Sequence, residues 1–193
     1  MTMEATLLVL AGGESRRMGR SKAWIEVGDG YLLRYVVDRL APAFAEVMVA
    51  FAEPEQLERH IPYRVVFDRK RHAGPLAGLE AGLLSARHDV LFAIACDMPY
   101  VMRATASMAV AAARSCDAAI PRHDGIFEPV CGAYRKSALP YIAAALDAGR
   151  HTAHDVVMDM DVTWLEEVDP AELESLNTPA DLERFHAGFS AQR

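Results

Sequence analysis

The stretch "LLVLAGGESRRMGRSKAW", residues 7–24, runs from four apolar residues through two glycines into a basic segment. Arg16, Arg17, Arg20 and Lys22 fall within seven residues, in a chain whose formal net charge is -7. A short apolar run ending in glycine reads as a buried strand that stops at a tight loop. Such a strand suits the first position of a sheet covered on both faces.

Outward from it, short β-rich runs alternate with helical patterns. The expected strands are Thr6–Leu10, Glu46–Phe51, Arg64–Phe67, Val90–Ala95 and Asp117–Ile120. Helix-like stretches cover Tyr31–Leu40, Pro54–His60, Leu76–Arg87 and Arg103–Arg114. This alternation predicts a mostly parallel, doubly wound α/β sheet. Further on, "FEPVCGAYR" reads as a strand or hairpin, "ALPYIAAALDAG" as a helix ending at Gly149, and "DVTWLEEV" as another strand. "NTPADLERF" opens a last helix, with Thr178 as N-cap and Pro179 at its first position. No repeat or Pro/Gly-rich linker divides the 193 residues, so a single domain over 1–193 is expected.

Composition narrows the function. An acidic chain lacks the broad basic surface that general nucleic-acid or anionic-membrane binding requires, although a local basic patch suits a small polyanion. No segment approaches a membrane span, and the apolar amino end is too short for a signal peptide. Cys96, Cys116 and Cys131 are odd in number without CxxC spacing, which reads as buried thiols in a reducing compartment. The expected location is the cytoplasm.

In open α/β sheets ligands bind outside the carboxyl ends of the strands. Three loops there are rich in glycine or charge. In the first, Gly12 and Gly13 let a ligand approach the backbone, and Arg16, Arg17 and Lys22 offer cations to phosphates. A strand–loop–helix connection with a solvated basic face would have the same make-up. The second, "DRKRHAGPLAG" (68–78), sets Asp68 ahead of three cations and a histidine, before a helix whose amino end attracts anions. The third, "CDMPY", places Asp97 at the end of an apolar strand, where it suits a Mg²⁺ ion shared with nucleotide phosphates, or caps a turn. His151 and His154 read as a surface helix, and His123 with Asp124 as a loop pair.

These loops carry a resemblance. "LAGGESRRMGRSKA" looks like the nucleotidyltransferase signature LAGG-x-S-x-R-M-G-x-x-K. Together with "GPLAGLEAGL", "CDMPYV", "EPVCGAYRKSALP" and "LNTPADL", in that order, it resembles the molybdenum cofactor guanylyltransferase family from Leu7 to about Phe185. The resemblance implies a three-layer αβα Rossmann-like nucleotidyltransferase fold with a mostly parallel mixed sheet. It implies a Mg²⁺-dependent transfer of GMP from GTP to Mo-molybdopterin. Leu10, Ala11, Gly12, Gly13, Asp68 and Gly78 would then contact the nucleotide, Lys22 its phosphates and Arg17 the leaving pyrophosphate. Asp97 would hold the metal and Asn177 is a candidate second ligand, or simply a turn before the last helix. LAGG and GPLAG favour guanine over the cytosine of the sibling enzymes. Relatives often carry Asn soon after the second strand, where this chain has Ala52. A cytidylyltransferase, a transferase to another phosphorylated acceptor and a non-catalytic nucleotide-binding protein are the alternatives. Transient contact with proteins that make or receive the cofactor is left open.

Overall fold

The computed structural model describes residues 2–12, 21–70 and 73–191. In chain order the elements begin with β1 (Met3–Leu10), the short strands β2 (Glu26–Val27) and β3 (Gly30–Tyr31), α1 (Leu32–Leu40), β4 (Phe44–Phe51) and β5 (Arg64–Phe67). Then come α2 (Pro75–Ser85), β6 (Val90–Ala95), α3 (Arg103–Ala112), β7 (Ala118–His123), β8 (Ile126–Phe127) and β9 (Cys131–Arg135). The chain continues through α4 (Leu139–Asp147), α5 (Ala153–Val157), β10 (Val162–Leu165) and α6 (Pro179–Ala191).

The main sheet runs β10-β7-β9-β6-β1-β4-β5, with β8 paired to β7. β6, β1, β4 and β5 are parallel in succession, β10 is parallel to β7, and β9 lies antiparallel between β6 and β7. The sheet is therefore mixed and mostly parallel, as expected. β1 stands where the winding reverses, since the chain goes first to β4 and β5 and then returns to β6 on the other side.

Alternation within the strands sorts their side chains to two faces. Leu7 and Val9 join Phe92 and Ile94 in one apolar core with α1, α3 and Phe185 of α6. Leu8 joins Leu91 and Ala93 in a second core with α2, α4 and α5. Three layers result. α2 rides close to the sheet, because a Cβ on Gly82 would stand 2.3 Å from Leu8 Cδ2. Fully burying each of these large aliphatic side chains is worth about 1.5–3 kcal/mol.

Several expectations shift in the structure. The helix expected over Pro54–His60 is only a 3-10 turn over Pro54–Gln56. There the Gln56 side chain turns back to the N–H groups of Ala52 and Glu53, and the chain leaves the helical path at Leu57. The helix expected from Tyr31 begins at Leu32, because Tyr31 pairs with Glu26 in the β2–β3 hairpin. "FEPVCGAYR" is split, with Phe127 in β8 and Cys131–Arg135 in β9. The His123–Asp124 pair sits beside the β7–β8 turn, where Asp124 (φ 49°) and Gly125 (φ 78°) adopt the positive φ that a two-residue hairpin turn requires. The last helix starts as expected: Asp181 N–H donates to Thr178 Oγ1 at 3.2 Å, and Thr178 N–H donates to Asp181 Oδ2 at 2.7 Å. No described helix is long and apolar enough to cross a membrane.

Candidate active site

A cavity of about 570 Å³ opens at the carboxyl ends of β1, β4, β5 and β6. Gly12, Ala52 and Asp68 follow the first three strands, and Cys96 and Asp97 follow the fourth. β9 runs the other way, so the residues ahead of it, Glu128 and Val130, reach the same rim.

At its floor Lys22 Nζ donates to Asp97 Oδ2 at 2.5 Å and to Asn177 Oδ1 at 2.7 Å. The Lys22 and Asp97 side chains are only 18% and 17% exposed, so their charges act through less water than at an open surface. An ammonium has three donors, and these two bonds leave one for a ligand. Each member is anchored by its own neighbourhood. Lys22 opens a 3-10 turn over Lys22–Trp24. Trp24 is buried there, stacked on Phe51 at 6.0 Å between ring centroids, with its indole N–H donated to Gln56 O at 2.8 Å. Asp97 follows β6, and its carbonyl accepts Leu176 N–H at 2.8 Å, which ties it to the segment carrying Asn177. The Asn177 N–H in turn donates to Asp181 Oδ2 at 3.0 Å. Asn177 is thus both the turn before the last helix and a partner of Lys22.

The wall beside β1 and β4 is tight. A Cβ on Gly12 would lie 2.5 Å from Ala52 N, so no side chain fits there. Gln56 sews this wall together: its Oε1 accepts from Ala52 N–H at 2.9 Å and from Glu53 N–H at 3.3 Å, while its Nε2 donates to Gly12 O at 3.3 Å. Gly78 faces Leu10 and Asp68, and a Cβ there would stand 2.9 Å from Leu10 Cδ2. Gly74, at φ 66°, and Pro75 bring the amino end of α2 to the same rim.

Two carboxyls in the lining, Asp68 and Glu128, form no ion pair among the described residues. Burial pushes Asp68 up to about 6. Burial likewise raises Glu128, assisted by the Asp97 charge and opposed by the Val130 N–H and His154. A buried acid without compensation favours its neutral form.

Of the residues expected at the site, Leu10, Gly12, Lys22, Asp68, Gly78 and Asp97 line this cavity. Ala11 lies beneath it, buried, with its N–H donated to Ala50 O at 2.7 Å. Gly13 and Arg17, with Arg16 and Arg20, lie outside the described residues, as do Arg71 and His72. Among the described residues of the second loop, Lys70 pairs with Asp147 and Arg69 is exposed. Asp68 and the amino end of α2 are the described parts of it that line the cavity. Gln56 and Glu128 are absent from the sequence reading. His154 packs its ring on Phe127 at 4.8 Å. The three cysteines are free and buried.

Comparison with known proteins agrees with this geometry. A family model described as MobA-like NTP transferase domain matches residues 7–163. A Syntrophotalea carbinolica protein named molybdenum cofactor guanylyltransferase is 32% identical over 92% of this chain and 89% of its own. In fold, the chain is similar to a crystal structure of molybdopterin-guanine dinucleotide biosynthesis protein A from Archaeoglobus fulgidus. The TM-score is 0.85 at 23% identity, over 96% of this chain and 99% of that one. It is also similar to 2-C-methyl-D-erythritol 4-phosphate cytidylyltransferase from Thermus thermophilus, with TM-score 0.74 and 21% identity over 97% and 100% of the two chains. These two structures speak for the fold alone; the family match and the 32% identity carry the assignment. The chain belongs to the MobA-like NTP transferase family.

Proposed function

We propose that this protein transfers GMP from GTP to Mo-molybdopterin, releasing pyrophosphate and forming molybdopterin guanine dinucleotide. The observation that carries the proposal is the Lys22–Asp97–Asn177 cluster at the floor of a strand-end cavity. The named relative supports GTP and the molybdenum cofactor as substrates. LAGG and GPLAG support guanine over cytosine. The whole chain acts as one nucleotidyltransferase domain, and three free, buried thiols suit a reducing cytoplasm.

In this reading a phosphate oxygen of molybdopterin attacks the α-phosphorus of GTP. The new P–O bond forms as the bond to the β-phosphate oxygen breaks, and pyrophosphate carries away the electron pair. A phosphate monoester is already largely ionised near neutrality, its second pKa being about 6, so no general base is required. The protein's part is positioning and charge neutralisation. Gly12 admits the nucleotide to the backbone, and Gln56 holds that wall in place. Lys22, oriented by Asp97 and Asn177, turns its remaining N–H toward phosphate. Arg17 follows the same glycine loop and takes the leaving pyrophosphate.

Asp97 fits a Mg²⁺ ion. Its Oδ2 holds Lys22, and among the described residues no hydrogen bond engages Oδ1. Mg²⁺ is bound by one or two carboxylates, with phosphate and water oxygens filling the remaining positions. When bound, the ion would screen the triphosphate and polarise the phosphoryl oxygen. Asn177 Oδ1 is the nearby neutral oxygen that could join Asp97 in holding it.

The test is pyrophosphate release from each nucleoside triphosphate, with and without Mo-molybdopterin and Mg²⁺. Release from GTP only when all three are present supports the proposal. Turnover with CTP and not GTP would remove guanine and leave the fold untouched.

A further inference from the structure

The cavity has two unlike walls. Gly12, Ala52, Gln56 and Asp68 form the one beside β1, β4 and β5, and the Lys22–Asp97–Asn177 floor separates it from Glu128 and Val130 at the start of β9. A nucleotide on the first wall with phosphates on the floor leaves the second wall for the group that receives GMP.

Glu128 is presented there by a pinned backbone. Its own carbonyl accepts Cys131 N–H at 2.9 Å, Pro129 O accepts the Tyr134 hydroxyl at 2.6 Å, and Val130 O accepts Ala95 N–H at 3.0 Å. Its side chain is half-buried in the cavity lining. Among the described residues its carboxylate has one hydrogen bond, from Val130 N–H at 3.4 Å, and no ion pair. A carboxylate presented into a cavity from a pinned backbone, with acceptor capacity unused among the described residues, is matched by a ligand that brings two parallel N–H donors. The pyrimidine edge of a pterin, with its ring N3–H beside the 2-amino group, is such a ligand.

We infer that Glu128 recognises the acceptor, its carboxylate receiving the N3–H and 2-amino donors of the pterin ring. The inference rests on the proposed transfer to molybdopterin and deepens it by naming the residue that reads the acceptor. Glu128→Gln keeps the shape and replaces one acceptor oxygen with a donor.

The experiment has two arms on the full chain. In steady-state transfer, E128Q raises the KM for Mo-molybdopterin by about 10- to 100-fold, the worth of a hydrogen bond to a charged group, and leaves the KM for GTP unchanged. In fluorescence titration without GTP, the wild-type protein binds 6-hydroxymethylpterin about tenfold more tightly than 6-hydroxymethyllumazine, which lacks the 2-amino donor. E128Q loses that preference. An unchanged acceptor KM in E128Q overturns the inference, as does a wild-type protein indifferent to the two probes. An effect confined to GTP affinity or to the Mg²⁺ requirement would move Glu128 to the nucleotide or the metal and overturns it equally. If the wild-type protein transfers no GMP to Mo-molybdopterin, the proposed function fails, a result distinct from transfer that proceeds without regard to Glu128.

Discussion

The two ends of the sheet treat a desolvated carboxylate in opposite ways. At the amino ends of the strands Glu46 is 9% exposed and fully engaged. It accepts from the Thr6 hydroxyl at 2.7 Å, from Arg87 N–H at 2.8 Å and from Arg64 Nη1 at 3.2 Å. Burial raises its pKa, yet those donors together outweigh burial and hold it below the ordinary value. At the carboxyl ends Asp68 meets no such donors among the described residues, and burial pushes it up to about 6. One end is a closed polar network; the other is left open for a ligand to complete. An acid in a cavity lining whose pKa burial displaces is a candidate functional group.

This contrast predicts separable losses. The largest belongs to the cavity floor. Asp97→Asn removes the metal-holding charge and should lower kcat by about 10²- to 10³-fold, on the scale of a lost transition-state electrostatic contact. GTP affinity measured by calorimetry should change far less, and thermal stability should hold. Full turnover in this variant would take Asp97 out of the mechanism.

Glu46→Ala attacks the other end. It strands the Thr6 hydroxyl and the Arg87 N–H and should cost about 2–4 kcal/mol in urea unfolding. Activity per folded molecule should not change. A loss of activity without a loss of stability would erase the distinction between the two ends.

Asp68 sharpens it through pH. Its folded pKa is raised, so the proton favours the folded state, and the free protein loses stability from this group as pH rises from about 4 to 6. Glu46 has the reverse sign: its contribution is present above the unfolded value and is lost as pH falls through its lowered folded value. Asp68→Asn should therefore stabilise the free protein at pH 7 by about 1 kcal/mol, after discounting for its partial exposure. If ionised Asp68 accepts from the nucleotide, wild-type GTP affinity should fall as pH drops below about 6, and the Asn variant should show no such fall. Calorimetry across pH 5 to 8, a range of about three units around that value, reads both. The smallest effect belongs to the Lys70–Asp147 pair on the surface, where Asp147 is 76% exposed. Lys70→Ala should change stability by no more than about 0.5 kcal/mol and leave GTP binding intact.

Much of this was legible in the chain. Thr6–Leu10, Glu46–Phe51, Arg64–Phe67 and Val90–Ala95 form the parallel ladder, because near-continuous apolar runs of strand length signal a doubly covered sheet. Asp97 stands out because it lies just beyond such a run, and Lys22 because it ends the basic glycine loop that resembles the nucleotidyltransferase signature. Glu128 did not, since only the reversed direction of β9 brings its start to the other strands' ends, and direction is not a local property of sequence. Gln56 was hidden inside an apparent helix, whose capping box closed a single turn instead. The β2–β3 hairpin pairs Glu26 with Tyr31 and Val27 with Gly30, too few residues to show any periodicity. The Lys22–Asn177 bond spans 155 positions and becomes visible only once the last segment is docked.

The central claim is that the open end of the sheet couples a guanine nucleotide to the molybdenum cofactor. The most direct measurement incubates the protein with Mg²⁺ and Mo-molybdopterin plus either GTP or CTP, and identifies the product by mass. The account predicts molybdopterin guanine dinucleotide with equimolar pyrophosphate from GTP, and no dinucleotide from CTP. Dinucleotide from CTP alone, or pyrophosphate released from GTP without any pterin product, would contradict it.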